Sequence, residues 1–485
     1  MTNRREFLKW MGVAAASTAL PAVAMAREAA VPATSATGFV SHRPPVAKRK
    51  FVSPAVEREL ARVKAKIGDP KLAWMFENCY PNTLDTTVHT GTVDGKPDTF
   101  IVTGDIDAMW LRDSSAQVWP YLPLARHDKA LTRLYRGLIH RQARCLLIDP
   151  YANAFMADPH AKTTLSWALH DATDMHPGVA ERKWEIDSPC WTIRLAHGYW
   201  QATGDRVPFD DDWRRATQLV VATLRAQQRK HGPGPYHFQR AAASSTDTLA
   251  MGGYGWPGKP VGLVFSMFRP SDDACKYPLS VPGNWFAVVS LRQLAAMHRA
   301  LFHDATFAAE CEALANEIHQ ALTQYAVMKD ADGQTFWAYE VDGYGNQLFM
   351  DDANVPSLLG LPYLGCVKRD DALYRRTRER AWGARNPYFF HGTAAAGIGG
   401  PHEGMGMIWP MSIMVRALTS ARVDTIGQCL TWLKTTDAGT GFMHEAFNQD
   451  DPAHFTRAWF AWANSLFGEL VIDVAGRQPQ LLARA

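Results

Sequence analysis

The stretch Arg457–Val474, RAWFAWANSLFGELVIDV, decides the fold class of this chain. Its apolar residues cover nearly the whole circumference of a helix, which is typical of a helix buried on every side. Other stretches show the same 3.6-residue period, some of them with a polar face: 188–204, 283–302, 306–325, 407–421 and 424–434. Helices of two kinds, fully buried and half-exposed, predict an inner ring within an outer ring. The predicted fold is therefore mostly α, an (α/α)6 toroid.

Two short segments interrupt the helical pattern. Residues 87–106 and 336–350 each place β-prone runs on both sides of an Asp-Gly turn, so each predicts a small β-hairpin insertion. Ser53-Pro54 marks a helix start, because serine is a good N-cap and proline suits the first turn. In a toroid, the N-termini of the inner helices and the long loops meet at one end, where we expect a pocket.

The first residues have the pattern of an exported protein. Arg4-Arg5 precede a short Ala-rich apolar run that ends in Ala24-Met25-Ala26. This pattern predicts a twin-arginine signal over residues 1–26, cleaved after Ala26, and a periplasmic or secreted protein. Residues 27–50 predict a flexible leader, and residues 51–485 a single (α/α)6 catalytic domain. No other run approaches the roughly 20 apolar residues of a membrane span, so no membrane partner is expected.

Charge and composition narrow the function. Without residues 1–26 the net charge falls from +3 to +1, so the chain lacks the basic surface that a nucleic-acid binder needs. The 17 Trp fit a carbohydrate cleft, because sugar C–H faces stack on aromatic rings, although most such rings are expected in the core. The seven cysteines include no C-x-x-C pair, which argues against a zinc ribbon or a thioredoxin-like site.

The stretch Phe268–Asp273, FRPSDD, places two carboxylates after a serine. Ser271 has the character of an N-cap, which predicts a helix with Asp272 and Asp273 in its first turn. Successive helical positions point about 100° apart, so one carboxylate can face a pocket while its neighbour supports the helix end. A helix N-terminus lowers the pKa of an acid, so burial or repulsion between the carboxylates would have to outweigh it in a general acid.

Carboxylates, Arg, His and Trp recur in the loops next to other helix starts. Glycoside hydrolysis needs one carboxylic acid to protonate the leaving oxygen and a second carboxylate to attack or to deprotonate water. Arg and Asp side by side suit sugar hydroxyls. The chain has neither a G-x-S-x-G elbow nor an H-E-x-x-H motif. Asp351, Asp352 and Asn354 offer too few oxygens to predict a cation, so no metal and no cofactor are expected.

Six motifs follow one another between about residues 70 and 475: TGDIDAMWLRDS (103–114), KWEIDSPCW (183–191), GLVFSMFRPSDDACKYPLSVPGNWFAV (262–288), MDDANVPSLLGLPYLG (350–365), GPHEGMGMIWPM (400–411) and MHEAFNQDDPAHFTRAWFAWANSLFGEL (443–470). In this order they resemble glycoside hydrolase family 125, the exo-acting α-1,6-mannosidases. The resemblance implies an (α/α)6 fold and a metal-independent, inverting mechanism. It also implies removal of non-reducing terminal α-1,6-linked mannose from a mannose-containing oligosaccharide or glycan.

The resemblance further implies an acid in the FRPSDD block and a base in the last block. The acid is Asp272 or Asp273, with Asp272 slightly favoured and Asp187 next in line, and the base is Glu445. The side chains expected to bind the sugar or line its pocket are Asp107, Trp110, Arg112, Asp113, Arg269, His402, Glu403, His444, Arg457, Trp459 and Asn464.

Two other functions stay open on the sequence. A sugar epimerase on the same toroid would use a His acid/base pair, such as His402 and His444. A non-catalytic periplasmic glycan-binding protein would keep the Trp, Arg and Asp groups without needing the acid and the base. The sequence predicts no oligomeric state.

Overall fold

A computed structural model describes residues 38–242 and 244–483, so the predicted signal and the first part of the leader lie outside the described residues. The helices, in chain order, are α1 (Pro54–Lys64), α2 (Pro70–Cys79), α3 (Asn82–Thr86), α4 (Leu111–Val118), α5 (Lys129–Ile148), α6 (Asp187–Thr203), α7 (Asp211–Ala226), α8 (Val281–Phe302), α9 (Ala305–Tyr325), α10 (Ala372–Ala381), α11 (Pro410–Leu418), α12 (Val423–Thr435), α13 (Ala461–Arg477) and α14 (Pro479–Ala483). Short 3-10 helices occur at Val46–Lys48, Trp119–His127, Ser245–Asp247 and Met251–Gly253.

The strands are short and are numbered in the same way. They are β1 (Val88–Val93), β2 (Lys96–Ile101), β3 (Met109–Trp110), β4 (Ala154–Phe155), β5 (Val179–Glu181), β6 (Leu279–Ser280), β7 (Val327–Lys329), β8 (Thr335–Trp337), β9 (Glu340–Val341), β10 (Gln347–Leu348), β11 (Phe389–His391), β12 (Ala396–Ile398), β13 (Met407–Ile408), β14 (Ala446–Asn448) and β15 (Phe455–Thr456). Both predicted hairpins are confirmed, since β1 pairs with β2 and β9 pairs with β10, each antiparallel.

The core is a ring of inner helices. Helix α13 packs against α4, α4 against α6 and α6 against α8, while α11 packs against α13 from the other side. Every residue of α4 is buried, as are most residues of α8 and α13. Residues 350–361 are all buried without forming a helix. This segment stands in chain order where the remaining inner helix would be.

The remaining long helices form the outer layer. Helix α5 packs on α7, α9 on α8, and α12 on α11. Helix α9 shows the half-exposed kind, because Cys311, Leu314 and Ile318 are buried while the residues between them reach solvent. The two kinds of helix predicted from the sequence therefore build two layers, and the (α/α)6 toroid is confirmed. The apolar stretch Arg457–Val474 supplies most of α13.

Short antiparallel sheets gather the loops that enter the inner helices. The sheet β3-β4-β5 joins the segments before α4 and α6, and β10-β9-β6 holds the segment before α8. The sheet β13-β14-β15 joins the segments before α11 and α13. A bridge between Gly104 and Phe460 links the entry of α4 to the entry of α13. All these entry loops are thus held together at the end of the ring where the inner helices begin.

The helix predicted from Ser271 is wrong. The chain around Ser271 forms a turn, and the next helix, α8, begins at Val281 with Ser280 as its N-cap. Long-range bonds hold the turn open: the Ala274 N–H donates to the Thr246 carbonyl at 2.7 Å, and Phe268 and Ala274 form a bridge. These contacts occupy backbone N–H and C=O groups that would otherwise form the hydrogen bonds of a helix.

Residues 38–50, which were predicted to belong to a flexible leader, are packed on the domain. Phe39 stacks on Trp74 with 5.0 Å between ring centroids. Arg43, whose side chain is 6% exposed, forms ion pairs with Glu57 at 2.6 Å and with Asp85 at 2.8 Å. The partners lie in α1, α2 and α3, so local composition could not reveal them. The predicted helix start at Ser53-Pro54 is confirmed, because the Ser53 side chain accepts from the Val56 N–H.

The seven cysteines are all free thiols, and six of them are buried. Among residues 38–242 and 244–483, none of the helices is both long enough and apolar enough to cross a membrane.

We expect Gly104→Ala to destabilise the protein. Gly104 has a φ of 132°, and a Cβ added there would lie 2.2 Å from the Trp459 carbonyl oxygen. Strain and overpacking together should lower the free energy of unfolding by about 2–4 kcal/mol, measured by urea denaturation. Gly91→Ala in β1 is the control, because its added methyl meets open space. Equal stabilities of the two variants would contradict this account of the Gly104–Phe460 bridge.

Candidate active site

A pocket opens at the end of the toroid where the inner helices begin. Its wall contains side chains from the first turns of α4 and α13, from the segments before α6 and α11, from residues 270–272, and from Asn354. The entries of α4, α6, α11 and α13 therefore all contribute to the wall, together with the turn at residues 270–272 and Asn354. Helix N-termini carry a partial positive charge, which favours carboxylates at this end.

Arg112, in the first turn of α4, is surrounded by carboxylates. Its guanidinium nitrogens lie near carboxylate oxygens of Glu185 at 2.6 Å, Asp187 at 3.4 Å, Asp272 at 3.4 Å and Asp113 at 3.6 Å. The Arg112 side chain is only 4% exposed. Because a buried guanidinium loses its hydration, these ion pairs are what keep it in place. Arg112 lines the pocket as predicted, but most of its donors already face protein carboxylates.

Asp272 reaches the pocket from a strained turn. Its φ is 66°, in the left-handed region that residues with a Cβ rarely adopt. The Lys183 Nζ donates to the Asp272 carbonyl at 2.7 Å, and the Asp272 N–H donates to the Arg269 carbonyl at 2.9 Å. The Asp272 side chain is 23% exposed, whereas that of Asp273 is 4% exposed. Of the two neighbouring carboxylates, Asp272 is the one that lines the pocket.

Glu185 lies behind Asp272, and both carboxyl groups accept from Arg112 and from the Asn153 amide. Its carboxylate is fully buried and accepts from Arg112, from the Ser188 hydroxyl at 2.9 Å and from the Asn153 amide at 3.3 Å. Burial raises the pKa of Glu185 well above its usual range. Burial alone would also raise the pKa of Asp272, but the hydrogen bond from Glu185 and the charge of Arg112 outweigh it and lower that pKa.

Glu445 enters the pocket from the segment before α13. Its side chain is 7% exposed, and the Arg457 Nη1 donates to it at 3.0 Å. Asp105 holds Arg457 in turn, accepting from its Nε at 2.9 Å and its Nη2 at 2.6 Å. Burial alone would raise the pKa of Glu445, but the charges of Arg457 and His402 lower it. Glu445 is therefore ionised at neutral pH, as a general base must be.

His402 is the cation between Glu445 and Asp273. Its Nδ1 lies 3.8 Å from Asp273 Oδ1, and its Nε2 lies 3.9 Å from Glu403 Oε1. Burial alone would lower the pKa of His402, but the nearby negative charges of Asp273, Glu445 and Glu403 raise that pKa to about 9. Asp273 also accepts from the Ser271 hydroxyl at 3.1 Å. The two neighbouring aspartates thus have different partners.

The apolar part of the pocket is aromatic. It comprises Trp110, Trp167, Trp409, Phe460 and Trp462. Within the described chain, the buried indole N–H groups of Trp110 and Trp409 have no hydrogen-bond partner. Buried polar groups are normally paired, so these two donors are suited to ligand hydroxyls. Asp113, beside them, has its pKa raised to about 6, because burial outweighs the charges of Arg112 and Arg457.

A second group of charges lines the pocket near Asp272. The Arg240 guanidinium lies 2.8 Å from Glu181 Oε1 and 3.1 Å from Asp247 Oδ1, and the Lys183 Nζ lies 2.7 Å from Asp247 Oδ1. Sequence reasoning missed these residues. Arg240 and Asp247 stand alone in a long stretch without helical periodicity, so nothing local marks them. Glu181 and Lys183 adjoin the motif 183–191, which was the only available signal.

Several residues that were expected to bind sugar do not line the pocket: Asp107, Arg269, Glu403, His444, Trp459 and Asn464. Asp107 is exposed to solvent. Glu403 lies against His402 and Glu445. Trp459 is half-buried, and its carbonyl accepts from the Asp105 N–H at 3.3 Å.

The other three side chains have structural partners instead. Arg269 pairs with the buried Glu340 at 2.6 Å. His444 stacks on Phe455, with 3.7 Å between ring centroids. The Asn464 amide binds the backbone of Met443 and so positions the segment that carries Glu445. Motif position alone could not separate these residues from their neighbours in the pocket.

The carboxylates considered as cation ligands bind backbone amides. Asp351 accepts from the Leu358 and Leu359 N–H groups at 2.7 and 2.8 Å, and Asp352 accepts from the Asn354 N–H at 3.0 Å. In the part of the chain that the structure describes, no group of three or more His, Cys, Asp or Glu side chains could hold a metal ion.

Comparison with known proteins identifies the family. The sequence model of the family described as metal-independent alpha-mannosidase (GH125) matches residues 69–472. The chain belongs to this family. The resemblance found in the six motifs is thereby confirmed, and the chain is a glycosidase of the α-mannosidase class.

Two relatives of this GH125 chain extend the match to nearly its full length. A Schizosaccharomyces pombe protein described as meiotically up-regulated gene 157 protein is 42% identical over 470 residues, covering 93% of this chain and 92% of that protein. A solved structure of a metal-independent α-mannosidase from Streptococcus pneumoniae is 40% identical and has a TM-score of 0.83. The match covers 87% of this chain and 99% of the Streptococcus pneumoniae chain. That structure is described as a non-productive substrate complex with α-1,6-mannobiose.

We expect Asp273→Asn to lower the pKa of His402 by at least about one unit, because the variant removes the strongest stabilisation of the imidazolium. The measurement is a pH titration of the ¹⁵N-labelled imidazole of His402, assigned with a His402→Gln variant. Asp107→Asn serves as the control, since Asp107 is exposed and outside the pocket lining. A His402 titration that Asp273→Asn leaves unchanged would show that Asp273 does not hold the imidazolium.

Proposed function

We propose that this protein is an exo-acting α-mannosidase that removes non-reducing terminal α-1,6-linked mannose by an inverting mechanism. The observation that carries the proposal is the pairing of two carboxylates in one pocket with opposite surroundings. Asp272 lies beside a second, fully buried carboxyl group, Glu185, at the same donors, while Glu445 has the cation Arg457 beside it at 3.0 Å. Inverting glycosidases need this combination of a carboxylic acid and an ionised base.

Asp272 acts as the general acid and Glu445 as the general base. Asp272 gives its proton to the glycosidic oxygen as the bond from that oxygen to C1 breaks. Glu445 takes a proton from a water molecule, and the remaining hydroxide forms the new bond to C1. One water is consumed, and the released mannose has the β configuration. Asp273 is less suited to the acid role because it is buried against His402.

The mannose hydroxyls are held by the polar groups that line the pocket. Asp113 and Arg457 supply an acceptor and a donor next to Glu445, and the free indole N–H groups of Trp110 and Trp409 supply further donors. Flat aromatic faces pack against the C–H groups of the ring. The α-1,6-mannobiose bound to the Streptococcus pneumoniae relative supports this choice of linkage.

The arrangement of histidines disfavours an epimerase. His402 lines the pocket, whereas His444 stacks on Phe455 outside it, so the two do not form an acid/base pair. A glycan-binding protein without activity would not need several carboxylates gathered around a buried guanidinium, an arrangement that is costly in desolvation. We further propose that Arg4-Arg5 direct export and that the enzyme acts in the periplasm or outside the cell. The support for this location is the sequence pattern of residues 1–26.

Proton NMR of the purified protein with α-1,6-mannobiose and EDTA tests the proposal. We expect β-mannose to appear first, and no hydrolysis of the α-1,2 and α-1,3 isomers. If α-mannose appears first, the mechanism is retaining. If the 1,6-linked substrate is untouched, or cleaved only without EDTA, the proposed function or its metal independence is wrong.

We expect Asp272→Asn and Glu445→Gln each to lower kcat on α-1,6-mannobiose by roughly 10²–10⁴-fold, because each removes one proton-transfer group. Asp273→Asn serves as the matched comparison: it removes the neighbouring carboxylate and should cost distinctly less. Steady-state kinetics with a mannose-specific coupled assay measures the effect. A larger loss in Asp273→Asn than in Asp272→Asn would reverse the assignment of the acid.

A further inference from the structure

The acid side of the pocket holds one carboxyl group more than an inverting glycosidase needs. Glu185 is fully buried, yet it contacts no pocket space and caps no helix through its side chain. Its oxygens accept from Arg112, Ser188 and Asn153. The Asn153 amide also lies 3.4 Å from Asp272 Oδ1, as does Arg112 Nη2. Glu185 and Asp272 thus share two donors, Arg112 and Asn153.

Two ionised carboxylates placed at the same guanidinium and the same amide repel each other. One proton held by the pair removes that repulsion, and either carboxyl group can carry it as O–H. Glu185 is the better holder at rest, because it is fully buried while Asp272 is 23% exposed to the pocket. Low dielectric penalises the charged form of the more buried group.

Resting on the proposed function, we infer that Glu185 is a positioning residue that stores the proton which Asp272 delivers to the leaving oxygen. A sugar in the pocket covers the exposed face of Asp272 and removes the water that favours its charge. The Glu185 O–H bond then breaks and an Asp272 O–H bond forms. Asp272 passes this proton to the glycosidic oxygen as the bond to C1 breaks, leaving both carboxylates ionised.

The surroundings can hold this double negative charge for the length of the reaction. Three cations face the pair: Arg112 from α4, Lys183 from the segment before α6 and His402 from the loop before α11. Three further carboxylates surround it: Asp113, Asp187 and Asp247. After the products leave, Glu445 returns its proton to solvent and the pair takes one back. The proton count is then restored.

Glu185→Gln tests the inference, since its amide can still donate to Asp272 but has no acidic proton to give. We expect kcat on α-1,6-mannobiose to fall at least about 100-fold, with KM changed less than about threefold. The basic limb of the kcat/KM profile should move to lower pH by about one unit or more, because Arg112 and Lys183 then act on a lone Asp272. With 2,4-dinitrophenyl α-mannoside, whose leaving group needs no proton, most of the wild-type rate should remain.

Asp187→Asn is the matched control. Asp187 is also buried and contacts Arg112, at 3.4 Å, but it does not share the Asn153 amide with Asp272 as Glu185 does. Its neutralisation should affect both substrates alike and shift the basic limb less than Glu185→Gln does. If Glu185→Gln lowers the rates on both substrates equally and keeps the wild-type basic limb, Glu185 is only structural and the inference is overturned.

A second variant covers the case in which Glu185→Gln does not fold. Glu185→Asp keeps a carboxyl but draws it back by one methylene, so its loss should also be greater on mannobiose than on the dinitrophenyl glycoside. Equal losses on both substrates overturn the inference. If wild-type protein does not release mannose from mannobiose at all, the proposed function fails first, and that result is distinct from any difference between variants.

Discussion

The buried guanidinium of Arg112 is the interaction on which the rest of the site depends. It sits in the first turn of α4 and draws together carboxylates from the entry of α6 and from the turn before α8. A cation with 4% exposure is costly by itself, and so are the carboxylates around it. The guanidinium and the carboxylates stabilise each other. The cluster can therefore form only when the starts of α4 and α6 and the turn before α8 lie at the same end of the ring.

This shared constraint explains why the fold carries its chemistry at one end. Short sheets and a bridge tie the entry loops of α4, α6, α11 and α13 to one another. Asp272 can then occupy a left-handed conformation, because Lys183 fixes its carbonyl and Arg112 its carboxylate. The strain is offset by contacts that a free turn would lack.

The acid side and the base side of the pocket have opposite electrostatic surroundings, although both are built from carboxyl groups and arginines. On one side, a second carboxyl group, Glu185, lies behind Asp272 and keeps a proton within the pair. On the other side, Arg457 donates from Nε and Nη2 to Oδ1 of Asp105, and this anchor places a cation beside Glu445. Asp272 thus has a proton source behind it, whereas Glu445 has a cation beside it, and this difference separates the acid from the base.

Periodicity and turn chemistry were enough to predict the architecture. The all-round apolar stretch that forms α13 and the Asp-Gly hairpins are local signals, and local signals are what a single sequence carries. Gly204 ends α6 in the left-handed conformation, as expected for a terminal glycine. Ser271 and Ser280 show where this approach stops. Both precede plausible helix starts, but only Ser280 caps a helix, because the chain near Ser271 bonds to distant backbone.

The motifs that form the site could be predicted from the sequence. Which residues of each motif line the pocket, and which pack behind it, could not. Asp272, Glu445, Arg112, Asp113, Trp110, His402 and Arg457 were named from the sequence, and all of them line the pocket. His444 and Asn464 lie within the same motif as Glu445, yet they pack behind it. No local sequence pattern indicates Arg240 and Asp247. Their partners Glu181 and Lys183 lie about 60 residues away in sequence.

A crystal structure of the Asp272→Asn variant with α-1,6-mannobiose would test the central claim most directly. The account predicts terminal mannose in the pocket, its glycosidic oxygen against residue 272, and a water on Glu445 at the far side of C1. The carboxamide of residue 272, which takes the place of the acid, and the carboxyl group of Glu445 should then lie roughly 6.5–9.5 Å apart. A glycosidic oxygen facing Asp273, or Glu445 in direct contact with C1 without an intervening water, would contradict it.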